Sequence, residues 1–119
     1  MIRFERINKK EYCLVKIQGE VSGDASQNLL SELESVEKSS PLAIILDLSR
    51  VEYMDSSGVG VLIRIFKRMR EKNAGFAIVG LNRKLSEVFE VTRLDRVFDF
   101  YASLRDYESM RAAAHAPKP

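Results

Sequence analysis

A chain of 119 residues with 45% hydrophobic and 30% charged residues has the size and make-up of one globular domain around a single core. Its net charge of +2 is too small to argue for nucleic acid as a partner. No apolar run approaches the roughly 18 residues a membrane span requires, and the N-terminal stretch 1–6 lacks a signal-peptide core.

The single cysteine, Cys13, cannot form an internal disulfide, which fits a reducing cytoplasm. The single histidine, His115, lies in the Ala-rich C-terminal stretch, so a Cys/His metal site within the chain is not expected, nor is any cofactor.

Residues 2–7 and 12–18 read as two extended segments joined by a hairpin turn at Asn8-Lys-Lys10. Alternation in the second places Tyr12, Leu14 and Lys16 on one face and Cys13, Val15 and Ile17 on the other. Gly19-Glu-Val-Ser-Gly-Asp24 breaks that pattern. Asp24, with Gln27 three residues on, predicts a capping box at the start of a helix whose inner stripe is Leu29, Leu30, Leu33 and Val36. Ser39-Ser-Pro41 ends it.

Residues 42–48 are almost continuously apolar, as in a strand covered on both faces. The next helix starts after Ser57, keeps Val59, Leu62, Ile65, Phe66 and Met69 inside, and stops at Asn73-Ala-Gly75. Residues 76–79 predict a short buried strand, and Asn82 a cap for a helix with Leu85, Val88 and Phe89 inward. Residues 97–101 predict an edge strand, and Ser103 a cap for a last helix through about residue 113, followed by a frayed or disordered tail. Alternating strands and helices after residue 24 imply an α/β fold: a mixed sheet, mostly parallel in its later part. Cys13, Phe66, Phe76, Phe89 and Phe98 read as core, and Tyr53 as core or interface anchor.

The chemistry concentrates in Asp55-Ser56-Ser57-Gly58. A helix N-terminus presents unpaired N–H groups and a partial positive charge of roughly half a unit, so it suits a phosphate, bound as ligand or attached to serine. Ser and Asp are also ordinary helix caps, worth roughly 1 kcal/mol each. Three such residues together exceed what one cap needs, and Gly58 is expected to leave backbone open to a second protein.

A nucleophilic-serine enzyme would need a base, and the only histidine is remote in sequence. Gly58-x-Gly60 lacks the third glycine of a dinucleotide fingerprint, the position being Ile63, and no Lys-Ser/Thr pair of a phosphate-binding loop follows. Three readings stay open on these residues: an ordinary helix cap, weak nucleotide binding at the helix start, and a switch worked by phosphorylation of Ser56 or Ser57. The basic residues Arg64, Lys67, Arg68, Arg70 and Lys72 read as a solvated helix face, the alternatives being an acidic partner surface or an anionic membrane.

The stretch from Leu42 to Gly60, with its Asp-Ser-Ser-Gly block, resembles the signature segment of the STAS domain of bacterial anti-sigma factor antagonists. Gly19-Glu20 before a helix resembles that family's first loop. Gly75-Phe-Ala-Ile-Val-Gly80 followed by Leu85, Val88-Phe89, Leu94 and Val97-Phe98 resembles its later region. The resemblance spans residues 3–110 and implies one STAS-like domain, residues 1–112, with about five strands and four helices, before a tail at 113–119.

By the same resemblance, the unmodified protein binds an anti-sigma factor that is also a serine protein kinase, and so frees a sigma factor. Phosphorylation by that kinase abolishes binding, and a serine phosphatase restores it. Ser57 is the implied phosphoacceptor, Ser56 the second choice, and Glu20, Ser22, Asp24, Asp55, Ser56, Gly58 and Val59 the implied docking residues. The first loop departs from the family pattern: Ser22-Gly-Asp24 follows where an Asp directly after Val21 is usual, with Asp24 standing in. The expected protein is a cytoplasmic monomer and not an enzyme, without direct contact to nucleic acid. The rival roles are an accessory subunit of a lipid ABC transporter, a stress-signalling scaffold, or a nucleotide hydrolase built on the glycine-flanked helix start.

Overall fold

Nearly continuous burial along residues 43–48 and 76–79 organises the fold, because it requires a covering layer on each face of the sheet. A computed structural model describes residues 1–115. The elements in chain order are β1 (Arg3–Asn8), β2 (Cys13–Val21), α1 (Asp24–Lys38), β3 (Ala43–Met54), α2 (Ser56–Glu71), β4 (Gly75–Val79), α3 (Arg83–Val91), a 3-10 turn (Leu94–Arg96), β5 (Asp99–Tyr101) and α4 (Leu104–His115). The five strands form one mixed sheet in sequence order. β1 is antiparallel to β2, and every later neighbour is parallel.

One sheet face buries Cys13, Val15 and Ile17 of β2, Ile44, Leu46 and Leu48 of β3, and Phe76 and Ile78 of β4. Against it pack Leu29, Leu33 and Val36 of α1, Leu62, Ile65 and Met69 of α2, and Leu85 and Phe89 of α3. The opposite face gathers Tyr12, Leu14, Ala43, Ile45, Ala77 and Val79 under Tyr107 of α4. Phe66, Phe76, Phe89 and Phe98 meet in mostly edge-to-face contacts; Phe76, Phe89 and Phe98 are buried as expected, whereas Phe66 is half-buried against them. Cys13 is buried, and burial raises its thiol pKa.

Four local expectations are corrected. Asp24 does not cap α1: it is the first helical residue, the cap position is Gly23, and no side chain bonds there. Gly23 has φ +53°, a conformation that strains a residue with a Cβ, and this turns the chain directly out of β2 into the helix. β2 does not stop at residue 18. It continues through a register shift at Gly19/Glu20 to Val21.

β3 runs six residues past the apolar stretch, because residues 50–54 pair with that extended end of β2. Only Val51 and Met54 of these are buried, so no continuous apolar run marks them. β5 shrinks to three residues, since the 3-10 turn immediately precedes Val97 and Phe98. By contrast Asn82 caps α3 through Leu85 N–H at 2.9 Å, and Ser103 Oγ accepts from Asp106 N–H at 3.1 Å, as the sequence predicts. α4 reaches His115; residues 116–119 of the expected tail lie outside the described residues.

Candidate functional site

β2 and β3 end side by side, Val21 opposite Met54. The connections that follow, residues 22–23 and Asp55, therefore lie together at the carboxyl ends of parallel strands, where α/β folds carry their sites. Asp55 N–H donates to Val21 C=O at 3.0 Å, tying the two connections.

Asp55 is the N-cap of α2, with extended backbone. Its Oδ1 accepts from the Ser57 and Gly58 N–H groups at 3.0 and 3.1 Å. It also accepts the Ser57 hydroxyl at 2.5 Å. These bonds favour the ionised form, the Ser57 hydroxyl most and the Gly58 N–H next, and hold the Asp55 carboxyl below its usual pKa. The sequence expectation that this motif opens a helix is met, with Asp55 rather than a serine as the cap.

Ser57 Oγ also lies 2.7 Å from Ser26 Oγ on the first turn of α1, and Ser26 is 2% exposed. A serine hydroxyl has one proton. With that of Ser57 directed to Asp55, the proton between the two serines is Ser26's. Ser26 was missed at the sequence level. Its signal is present nonetheless: it continues the buried stripe Leu29, Leu33, Val36 at helical spacing, a polar residue on an apolar face.

Ser56 and Ser57 are both exposed, and Ser56 has no side-chain hydrogen bond among the described residues. Glu20 and Tyr53 face each other across β2 and β3, both exposed, Tyr53 by 53%. Core packing is thereby removed from the two readings of Tyr53. Asp24 is exposed and Ser22 half-buried beside the motif.

Gly58 and Val59 are different. Both are buried, and a Cβ on Gly58 would come within 2.7 Å of both Met54 Cγ and Val21 Cγ1. The missing side chain of Gly58 thus answers to the domain's own strands, and Val59 beside it is 8% exposed.

The basic face of α2 divides. Arg68 bridges to Glu34 at 2.8 Å and Glu37 at 3.4 Å, and Lys72 to Glu37 at 2.8 Å, clamping α2 to α1. Arg64, Lys67 and Arg70 remain exposed. No helix among the described residues is long and apolar enough to cross a membrane.

Comparison with known proteins places the sequence and the fold. The STAS domain profile matches residues 3–107. An anti-sigma-B factor antagonist of Listeria monocytogenes is 29% identical over 83 residues, 70% of this chain and 73% of the relative. An anti-sigma F factor antagonist of Paenibacillus polymyxa is 22% identical over 101 residues, 84% of this chain and 86% of the relative. The crystal structure of an anti-sigma factor antagonist from Mycobacterium paratuberculosis superposes with a TM-score of 0.85 at 25% identity, covering 92% of this chain and 93% of that one.

Proposed function

The chain belongs to the STAS domain family, and we propose that it is an anti-sigma factor antagonist switched by phosphorylation at Ser57. The unmodified domain, residues 1–112, docks on an anti-sigma factor that is also a serine kinase and so frees a sigma factor in the cytoplasm. Modification breaks the complex, and a serine phosphatase restores it. The protein acts as a monomeric binding module, not as an enzyme.

The observation that carries this reading is the Ser57 hydroxyl, exposed at the start of α2 and held between Asp55 and Ser26. A phosphoserine there adds about −1.5 to −2 charges at the positive end of a helix, so the domain itself tolerates it. Across an interface the same group must be desolvated next to the Asp55 carboxylate. A loss of about 3 kcal/mol weakens binding by roughly two orders of magnitude.

The docking surface proposed is Glu20, Ser22, Asp24, Ser56 and Tyr53 around that hydroxyl, with Asp55 presenting the loop. Gly58 and Val59 support it from within.

Binding to the anti-sigma factor recovered from the protein's own cells tests the proposal. Ser57→Asp should fold like the parent and lose binding at least about 100-fold, while Ser57→Ala binds whether or not ATP is present. A folded Ser57→Asp variant that binds as tightly as the parent contradicts the mechanism.

A further inference from the structure

The buried Ser26 hydroxyl has no role in the docking surface, yet it makes one of the two hydrogen bonds that distinguish the Ser57 hydroxyl from that of Ser56. We infer that Ser26 is a positioning residue for modification at Ser57, fixing the rotamer of that hydroxyl and so directing phosphoryl transfer to Ser57 rather than Ser56. This rests on the reading of Ser57 as phosphoacceptor.

Two fixed partners determine where the Ser57 oxygen points. Its proton is directed to Asp55 Oδ1, and one lone pair receives the proton of Ser26 across 2.7 Å. Two hydrogen bonds from two helices define one staggered rotamer, leaving the second lone pair for an incoming phosphoryl group. Ser26 is itself held: it is 2% exposed, and its N–H donates to Gly23 C=O at 3.0 Å in the first turn of α1. Ser56, one residue earlier, is exposed and lacks such partners among the described residues. Its hydroxyl is free to rotate, and a nucleophile that samples three rotamers spends less time aligned.

The transfer balances simply. The Ser57 Oγ–phosphorus bond forms as the bond from the γ-phosphorus of ATP to its bridging oxygen breaks, leaving ADP. The hydroxyl proton departs late, towards Asp55 and then solvent. A loose transition state asks mainly for alignment, so a weakly basic carboxylate suffices. Alignment is what Ser26 contributes. In the product, its hydroxyl faces an acceptor-rich phosphate, so the first turn of α1 senses the modification directly.

The test uses the full chain as wild type, Ser26→Ala, Ser26→Cys, Ser56→Ala and Ser57→Ala. NMR three-bond couplings should report one Ser57 rotamer in the wild type and rotamer averaging in Ser26→Ala. The titration midpoint of the Asp55 carboxyl carbon should rise in Ser57→Ala, rise by a smaller step in Ser26→Ala, and stay in place in Ser56→Ala. Ser26→Cys keeps the volume and a weak donor, and should fall between wild type and Ser26→Ala.

With ATP and the serine kinase recovered from the protein's own cells, kcat for Ser57 should fall about 3- to 10-fold in Ser26→Ala at little change in KM, and the Ser56 share of phosphate should rise. A folded Ser26→Ala protein with unchanged couplings, unchanged Asp55 titration and an unchanged ratio of the two sites overturns the inference. Absence of phosphate from both serines of the wild type would instead remove the phosphoacceptor reading, and the NMR measurements would still decide whether Ser26 positions Ser57.

Discussion

Gly58→Ala separates a glycine kept for the domain's own packing from one kept for a partner. The added methyl would lie 2.7 Å from Met54 Cγ and from Val21 Cγ1, and 3.1 Å from Val21 C=O. Ordinary carbon–carbon contacts are about 3.5–4.0 Å, so the start of α2 must lift or its neighbours must move. Met54 is flexible, but Val21 is a fully buried β-branched residue at a strand end with little freedom to yield.

Overpacking of this kind costs about 1–3 kcal/mol, against a gain of up to about 1 kcal/mol from replacing glycine in a helix. The net expectation is a loss of about 1–2 kcal/mol, lowering the thermal midpoint by roughly 3–10 °C for a domain of this size. Gly60 on the same helix supplies the control. Beyond the backbone of its own helix, nothing lies within 4 Å of the methyl that alanine would add there, and the residue is exposed. Gly60→Ala should therefore raise the midpoint, by roughly 3–6 °C. Thermal unfolding followed by circular dichroism reads both. If Gly58→Ala proves as stable as Gly60→Ala, the close approach of α2 to Val21 and Met54 is not what requires the glycine, and the packing argument fails.

Two further outcomes follow from the caps. β4 ends at Val79, so the later part of β3 has no strand on that side, and Asn82 Nδ2 donates to Val51 C=O at 2.8 Å while Oδ1 caps α3. Asn82→Ala removes both bonds and should cost about 2 kcal/mol in chemical denaturation; a loss below about 0.5 kcal/mol would show that water replaces them. The Asp55 carboxyl titrates below its unfolded value, so its stabilisation is fully present above the ordinary carboxylate range and disappears as pH falls through the folded pKa. The stability difference between wild type and Asp55→Asn should thus shrink on acidification below about pH 4, and a difference constant from pH 7 to pH 2 would contradict the hydrogen-bond assignment.

The sheet and helices were legible wherever burial was periodic along one face or unbroken along both. Leu29, Leu33 and Val36 announce α1, and the run Ile44-Ile45-Leu46 announces a strand covered twice. What escaped was structure made by long-range pairing. Residues 50–54 are half polar, and become strand only because the end of β2 continues beside them past Gly19. The capping box at Asp24 failed because Gly23, at positive φ, leaves the side chain of Asp24 inside the helix rather than before it.

At the site, local chemistry was readable and direction was not. Asp55 and Ser57 share a helix start that three consecutive polar residues make visible. That Gly58 faces inward depends on how closely α2 descends on Val21 and Met54, which no local pattern encodes. Ser26 lies 31 positions from Ser57, and only the packing of α1 against α2 brings the two hydroxyls together.

Phosphorylation of Ser57 as the switch can be read by intact-mass and peptide-mapping analysis of the protein from its native cells, with and without phosphatase. The expected result is a phosphatase-sensitive gain of about 80 Da, the mass of one phosphoryl group on serine, mapped to Ser57 and absent from the fraction bound to the anti-sigma factor. An unmodified Ser57 under every growth and stress condition, or phosphorylated protein still in the complex, would contradict it.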